Sequence, residues 1–342
     1  MNPCPICQAP LCEQTTAGGA VSLGACTQCF NPLLVEWRGA AVSAQPLPDA
    51  PNIRRIAPAG SIGAELLAQS VAGLDNLPVL PEMSQRILRL LKDPEFNISQ
   101  LAAMIREDPV IALAIMKQAN SPAFGGLHEI RDINAACSRL GMRTIANTVQ
   151  LVANRNLFIT GNALLKKSME RLWRHSAATA HCANEIARLT MVPNLECIFL
   201  AGLIHDVGKV MLLELVTKPR SSLMRDLQEN PQLLTEVLEN LHPLLGLIIC
   251  QEWNLPPAFR AAVYFHHNPA ICPVKDWMQA IHITALGNTL AKVEGYGMQE
   301  GRTETFLASN PSSIALGLSD IKLATLRVDL SDALEALFEV AG

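Results

Sequence analysis

Four N-terminal cysteines are spaced as two pairs of metal ligands. Cys4 and Cys7 form one C-x-x-C turn, Cys26 and Cys29 form another, and 18 residues separate the two turns. Two such turns offer four thiolates to one tetrahedral Zn²⁺ ion. A segment of this length cannot fold on apolar burial alone, so metal binding would supply its folding free energy. The spacing predicts a zinc ribbon over residues 1–30, with a redox dithiol or a chance arrangement as the alternatives.

The ribbon is expected to have a structural or protein-docking role. Lysine and arginine are absent from residues 1–37, and Arg38 is the first cation. A surface that binds phosphates needs cations. Binding of nucleic acid through the ribbon is therefore the weaker interpretation.

A group of histidines and one aspartate could form a second metal site. Its members lie in apolar, helical sequence: His175, His205, Asp206, His242, His266 and His267. A buried carboxylate is costly unless it is paired or bound to a metal. Imidazole and carboxylate together suit iron, manganese or zinc. A hydrogen-bonded structural pair and a polar pocket without an ion are the alternatives.

The stretch LAGLIHDVGKVMLL carries the His-Asp pair in a predicted helix. Adjacent side chains on a helix point about 100° apart, so His205 and Asp206 can share a metal only from a helix at the edge of a cavity. His181 lies six residues after His175 and faces another side of the same helix. We interpret His181 as structural.

The elements that must position these residues are helices. Helical periodicity begins near Ser61, Asn97 and Gln100 form a capping-box pattern, and Asp108-Pro109 opens another helix. Further helices are predicted around 132–139, 142–153, 163–190, 195–215, 221–229, 232–251, 257–266 and 275–292, with a last one from Ser331. Sustained strand-type alternation is not found outside the N-terminus. The prediction is an all-α, multi-helical domain over 66–292, a Pro-rich linker over 31–65 and a C-terminal extension over 293–342.

Composition limits the class of protein. Of 342 residues, 49% are hydrophobic, 4% are aromatic, and the net charge is −4. The apolar fraction supports a large core, whereas the charge and the few aromatics argue against a nucleic-acid surface. Neither a secretory leader nor an uninterrupted apolar run of about 20 residues is found. We expect a cytoplasmic protein that does not bind a membrane.

Residues 70–290 resemble the HDOD domain, a helical relative of the HD and HD-GYP phosphohydrolases. The matching text is LDNLPVLPEMSQRILRLLKDPEFNISQLAAMIREDP, MKQANSPAFG, INAACSRLGM, AGLIHDVGKVMLLEL and HPLLGLIICQEWNLPPAFRAAVYFHHNP, in that order. The resemblance implies a bacterial regulatory protein. It also implies that the histidine and aspartate group corresponds to HD-GYP metal ligands, and that Lys209 corresponds to a lysine that serves a phosphate.

The sequence departs from the HD-GYP pattern at three places. The position of the late aspartate falls near Ala285, and Arg171 stands where some of these enzymes carry an extra acidic ligand. NPAICPVKDW replaces the GYP loop. Loss of a bridging carboxylate removes a ligand and a means of activating water. The resemblance therefore implies a domain that binds a metal or a ligand without efficient hydrolysis.

Three functions follow as hypotheses. The first is a non-catalytic signalling protein whose helical domain binds a partner protein or a small ligand. The second is a metal-dependent phosphohydrolase acting on nucleotides or cyclic dinucleotides, with iron or manganese at His205 and Asp206 and with Lys209 steadying phosphate. The third is nucleic-acid regulation through the ribbon.

Overall fold

The structure of the protein is a computed structural model. It describes residues 21–25, 31–38, 41–47, 61–72, 79–91, 93, 95, 97–124, 129–191, 198–216, 229–298 and 305–341. Cys4, Cys7, Cys26 and Cys29 lie outside the described residues, so the predicted zinc ribbon stays a prediction. The helix predicted over 221–229 also lies outside them, apart from its last residue.

Three strands form an antiparallel sheet in the order β1-β2-β3. They are β1 (Val21–Ala25), β2 (Pro32–Arg38) and β3 (Ala41–Pro46). Leu23 pairs with Leu34, and Val35 pairs with Ala44. The predicted linker over 31–65 thus contains two strands and the beginning of a helix. Its prolines suggested an extended spacer, but the apolar run after Pro32 has the composition of a strand.

The rest of the described chain is mostly helical, as predicted. The helices are α1 (Ile62–Ala72), α2 (Glu82–Leu90), α3 (Ile98–Arg106), α4 (Pro109–Ala119), α5 (Ile133–Asn154), α6 (Lys166–Leu189), α7 (Ile198–Ile204), α8 (Val207–Val216), α9 (Pro231–Glu252), α10 (Pro257–Phe265), α11 (Met278–Val293), α12 (Pro311–Ala315) and α13 (Asp320–Ala341). Short 3-10 segments cover Arg155–Phe158, Pro269–Ile271, Lys275–Trp277 and Leu307–Ser309.

The chain divides into two compact units. The first consists of Met1–Val79, Thr160–Lys167 and Ile204–Ala285, and the second consists of Leu80–Ile159, Ser168–Leu203 and Leu286–Gly342. His175 belongs to the second unit, and the other members of the predicted histidine and aspartate group belong to the first.

In the first unit, the sheet packs on two helices through β1. The amide of Ala25 donates to Oε1 of Gln251 at the end of α9, at 3.0 Å. Arg260 of α10 is fully buried and donates to the carbonyl oxygens of Leu255 and Leu23, at 2.8 and 3.3 Å. The bonds at Ala25 and Leu23 satisfy backbone groups of β1 that would otherwise be buried without partners. The N-terminal sheet is therefore an integral part of the unit.

Helices α8 and α9 approach closely at a glycine. A Cβ on Gly208 would lie 2.1 Å from the carbonyl oxygen of His242, so only glycine fits there.

Helix α9 is also apolar and long enough to cross a membrane, by length and composition alone. Most of its apolar window, 61%, is buried within the structure, as expected of the core helix of a globular domain.

In the second unit, α2–α5 enclose an apolar core. Ile87, Leu101, Ile105, Ile115 and Val149 are fully buried there. The predicted helix starts are confirmed: Asn97 and Gln100 form a capping box, and Asp108 caps the helix that opens with Pro109. The two helices predicted over 132–153 form one helical stretch, α5, which is interrupted at Gly141 with φ 76°.

Candidate metal centre

A two-residue break between α7 and α8 carries the His-Asp pair. The sequence predicted one continuous helix over 195–215, but α7 ends at Ile204 and α8 begins at Val207. That prediction was wrong at His205 and Asp206, because a uniformly apolar run gives no signal of an interruption. The break frees the pair from the 100° separation that a helix would impose.

Asp206 is buried beside a lysine. Asp206 is 1% exposed and Lys209 is 2% exposed, with 3.0 Å between Oδ2 and Nζ. Nε2 of His205 lies 3.5 Å from the same carboxylate oxygen. The other carboxylate oxygen, Oδ1, faces the ligands supplied by α9 and the end of α10.

Helix α9 contributes His242, and its Nδ1 is 2.7 Å from the carbonyl oxygen of Leu238. The two residues after α10, His266 and His267, contribute the other rings. Nδ1 of His266 is likewise 2.7 Å from the carbonyl oxygen of Val263. A carbonyl only accepts, so Nδ1 carries the proton in both anchored rings. Each ring is thereby turned so that Nε2 points towards Asp206.

The Nε2 atoms converge on one point. Nε2 of His242 lies 3.1 Å from Oδ1 of Asp206, 3.3 Å from Nε2 of His266 and 3.1 Å from Nε2 of His267. One ligand atom from each of these four residues lies within 4.8 Å of the others. We call Asp206, His242, His266 and His267 the His-Asp cluster.

The charges around Asp206 favour its ionised form. Burial opposes ionisation, but His205, Lys209 and His242 together hold the pKa of the Asp206 carboxyl well below its usual value. Burial also disfavours the charged form of Lys209, yet Asp206 and Glu239 raise the pKa of its ammonium group. The two side chains therefore form a buried ion pair at neutral pH.

The same environment keeps His266 neutral. Burial, and after it the neighbouring rings of His267, His205 and His242, hold the pKa of His266 well below its usual value, against the opposing effect of Asp206. With its proton on Nδ1, neutral His266 presents a lone pair at Nε2. This is the form of imidazole that binds a metal.

The donor set fits a divalent transition metal. Three imidazole nitrogens and one carboxylate suit zinc, iron or manganese. Backbone carbonyls fix the tautomers of His242 and His266, which is the usual outer-shell arrangement of metal-binding histidines. If a metal is bound, the His-Asp cluster would hold it, and the metal would supply Lewis acidity there.

Two other positions singled out in the sequence lie on α6 and α11. Nδ1 of His175, in the second unit, lies 2.8 Å from the carbonyl oxygen of Tyr296. Ala285, near the position of the late aspartate in the HD-GYP pattern, is buried on α11.

One carboxylate next to the cluster was not predicted from the sequence. Glu239 is 44% exposed, 2.9 Å from Nζ of Lys209 and 3.8 Å from Nε2 of His267. Burial works against ionisation of Glu239, but Lys209 lowers its pKa below the usual value. The signal was its spacing: Glu239 and His242 stand three residues apart, and residues with that spacing share a helix face.

Fold and site together define a mostly helical domain in which α9 and the end of α10 gather imidazoles around one buried aspartate. The model of the family described as "HDOD domain" matches residues 77–269. The chain belongs to the HDOD family. The family match confirms the resemblance drawn from the sequence motifs.

Solved structures share this fold. An HDOD domain protein of unknown function from Geobacter sulfurreducens is 25% identical, with a TM-score of 0.63 over 81% of this chain and 97% of that one. A protein from Shewanella amazonensis SB2B described as a candidate metal-dependent phosphohydrolase is 20% identical, with a TM-score of 0.58 over 82% of this chain and 99% of that one. A protein from Marinobacter aquaeolei VT8 described as a candidate signal transduction protein is 18% identical, with a TM-score of 0.57 over 91% of this chain and 75% of that one.

A relative from Treponema pallidum (strain Nichols) is 27% identical over 230 residues. It is described as an uncharacterized protein. The match covers 65% of this chain but only 44% of that protein, so this chain spans less than half the length of this relative.

Proposed function

We propose that the protein is a signalling protein whose His-Asp cluster binds one divalent metal ion without hydrolysing a substrate. One observation supports the binding of a metal ion. Three groups lie 3.1–3.3 Å from Nε2 of His242, and a single proton on that nitrogen could bridge only one of the three contacts. A metal cation would satisfy all of the converging ligand atoms at once.

The shortage of carboxylates supports a non-catalytic role. Asp206 is the one carboxylate in the His-Asp cluster, and it already pairs with Lys209. Two-metal hydrolysis needs ligands that bridge the ions. Ala285 stands near the position where the HD-GYP pattern supplies another carboxylate. The domain is therefore better suited to holding one ion than to activating water between two.

Metal content of the purified full-length chain tests the proposal. We expect about one equivalent of iron, manganese or zinc to be lost in His266→Ala and His242→Ala, because each removes an imidazole ligand. His282→Gln is the matched control, since it removes an imidazole outside the cluster. Equal metal content in all four proteins, each folded by circular dichroism, would contradict the proposal.

Hydrolysis of a phosphate ester is the second candidate function. Glu239 favours it, because this carboxylate stands beside His267 and Lys209 at the exposed side of the cluster. It could act as a general base or an additional ligand, while Lys209 would face a phosphate. We expect no turnover of nucleotides or cyclic dinucleotides with added manganese or iron. Turnover that is lost in both Asp206→Ala and Glu239→Gln would establish the second function in place of the first.

We also propose that Cys4, Cys7, Cys26 and Cys29 hold one zinc ion. Besides the spacing, the position of the second pair supports this proposal. The chain that connects antiparallel β1 and β2 contains both Cys26 and Cys29, and a C-x-x-C pair is a usual ligand spacing of structural zinc sites. The double variant Cys26→Ser/Cys29→Ser should lose one zinc equivalent and keep the metal of the His-Asp cluster. Unchanged zinc content would refute the site.

The proposed setting is the cytoplasm of a bacterium, with a signalling protein as the partner. The net charge of −4 and the absence of cations from residues 1–37 support a protein partner over nucleic acid. Salt-sensitive binding of the full-length chain to DNA or RNA, abolished in Cys4→Ser, would instead support the nucleic-acid alternative.

A further inference from the structure

A cavity in the second unit is lined by no residue of the His-Asp cluster. It measures 310 Å³ and is lined by α4, α5, α6 and α13, with further side chains from neighbouring segments. Ligand pockets for small molecules begin at about this size. The residues matched by the HDOD model end at residue 269, before α13 begins. One wall of the cavity is therefore supplied by sequence beyond the family match.

Helix α13 presents an apolar stripe to the cavity. Leu326, Leu330, Ala333 and Leu337 recur at spacings of three and four residues and all line it. Phe124 and Phe199 add aromatic rings to the lining. The cavity therefore offers a ligand a mainly apolar enclosure with two aromatic side chains.

Two amide side chains are held in place and keep unused hydrogen-bonding capacity. The Gln118 amide contacts the hydroxyl of Thr148, which also donates to the carbonyl oxygen of Thr144 at 2.8 Å. Nδ2 of Asn147 donates to Oδ1 of Asn184 at 3.1 Å. Gln118 therefore keeps one amide group, and Asn147 keeps its carbonyl oxygen, without a hydrogen bond to any described residue. Two polar groups thus line the same cavity.

A half-buried imidazole, that of His181, also lines the cavity. Its Nε2 atom is out of contact with solvent, so the ring contributes to the wall of the cavity and does not offer a hydrogen bond to a ligand. We interpreted His181 from the sequence as structural, because it lies six residues after His175 and faces another side of the same helix.

The cavity is lined by equal numbers of cationic and anionic side chains. Arg188 pairs with Glu185 at 2.8 Å, which leaves exposed Arg143 and exposed Asp329 without partners in the described part of the chain. A site for a phosphate group would gather several cations. A mainly apolar cavity without net charge and with amide groups instead suits an uncharged molecule that carries donors and acceptors on a flat ring.

We propose that this cavity binds a nucleobase or nucleoside. The Gln118 amide and the Asn147 carbonyl would bond the edge of the base, as amide side chains do in base recognition. Phe124 or Phe199 would contact its face, in the manner of aromatic residues that stack on bases. Asp329 would accept from ribose hydroxyls. The proposal is independent of the His-Asp cluster, since no cluster residue lines the cavity.

Isothermal titration of the full-length chain with adenosine, guanosine, cytidine and uridine tests the proposal. We expect at least one nucleoside to bind, and Asn147→Ala to weaken it about tenfold by removing the acceptor. The control is Asn156→Ala, which removes an exposed amide outside the cavity. Ala333→Phe fills the cavity from α13 and should abolish binding while the chain stays folded.

The possible results distinguish a nucleoside in this cavity from no binding, from binding elsewhere and from an anion site. Failure of every nucleoside to bind would overturn the proposal. Binding that is unchanged in both Asn147→Ala and Ala333→Phe would place the ligand elsewhere and would also overturn it. Binding of nucleoside monophosphates alone, lost in Arg143→Ala, would show an anion site instead.

Discussion

Lys209 and Asp206 show how much a single buried charge depends on its partner. Both side chains are at most 2% exposed, and they lie 3.0 Å apart. The pair itself need not stabilise the fold, because both charges lose their hydration. Removal of one partner is different, since the remaining charge stays buried without compensation.

Lys209→Met should therefore destabilise the chain by about 3 kcal/mol. Glu239→Gln removes the other partner of Lys209, but Glu239 is 44% exposed and its loss should cost at most about 1 kcal/mol. Urea unfolding of the metal-free protein measures both. Adding Asp206→Leu to Lys209→Met should recover part of the loss. A double variant no more stable than Lys209→Met would contradict the explanation.

Because His266 is neutral in the folded chain, we expect the stability of the fold to decrease at acid pH. Its pKa is lower in the folded chain than the ordinary value near 6.5. As the pH falls below that value, the unfolded chain takes up a proton that the folded chain does not. Stability then decreases by up to about 1.4 kcal/mol per pH unit for this group.

The free energy of unfolding of the chelated protein between pH 5 and 7 tests this prediction. His266→Gln should show a smaller slope than the original chain, because one titrating group is lost. Equal slopes would mean that His266 has the same pKa in the folded and the unfolded chain.

At the scale of the elements, the contact of α8 with α9 depends on Gly208. A methyl group there would overlap the carbonyl oxygen of His242, a backbone atom that cannot move aside alone. Gly208→Ala should cost about 3 kcal/mol and reduce metal binding, because Asp206 directly precedes α8 and His242 lies on α9. Gly161→Ala is the control, since nothing lies within 4 Å of its Cβ position. Thermal unfolding and metal content measure the difference, and equal values would contradict the close contact.

The attachment of β1 depends on Arg260. Arg260→Met would leave the carbonyl oxygens of Leu23 and Leu255 without this donor and should cost about 2 kcal/mol. Hydrogen exchange should accelerate most at Ala25, whose amide donates to Gln251. Exposed Arg131 provides a control in Arg131→Met. Unchanged exchange in the strand would show that Arg260 does not hold it.

Helix starts were predictable and the interruption of a helix was not. The caps at Asn97 and Asp108 were evident because a cap is a local arrangement of three or four residues. The break at His205 and Asp206 was missed, since its cause lies in ligands from α9 and α10. The strands after Pro32 were missed for a related reason: their packing on α9 and α10 is set by Gln251 and Arg260, more than 200 residues away along the chain.

At the scale of the whole molecule, the family and the mostly helical fold followed from the motifs. Four members of the metal group were also brought together, namely Asp206, His242, His266 and His267. The position of Glu239 beside the cluster could be recognised only in the structure, because an exposed glutamate on a long helix is common. The cavity beside α13 could be recognised only in the structure too, since its walls come from segments separated by more than 200 residues.

The two-residue break between α7 and α8 makes the proposed metal site depend on backbone shape as well as on the identity of the side chains. Substitutions that extend either helix across residues 205 and 206 would rotate the aspartate away from the imidazoles while leaving every ligand in the sequence. A genetic screen for loss of iron or manganese should accordingly recover helix-favouring changes at this junction. Homologues that keep all four ligands but lose the interruption should be metal-free.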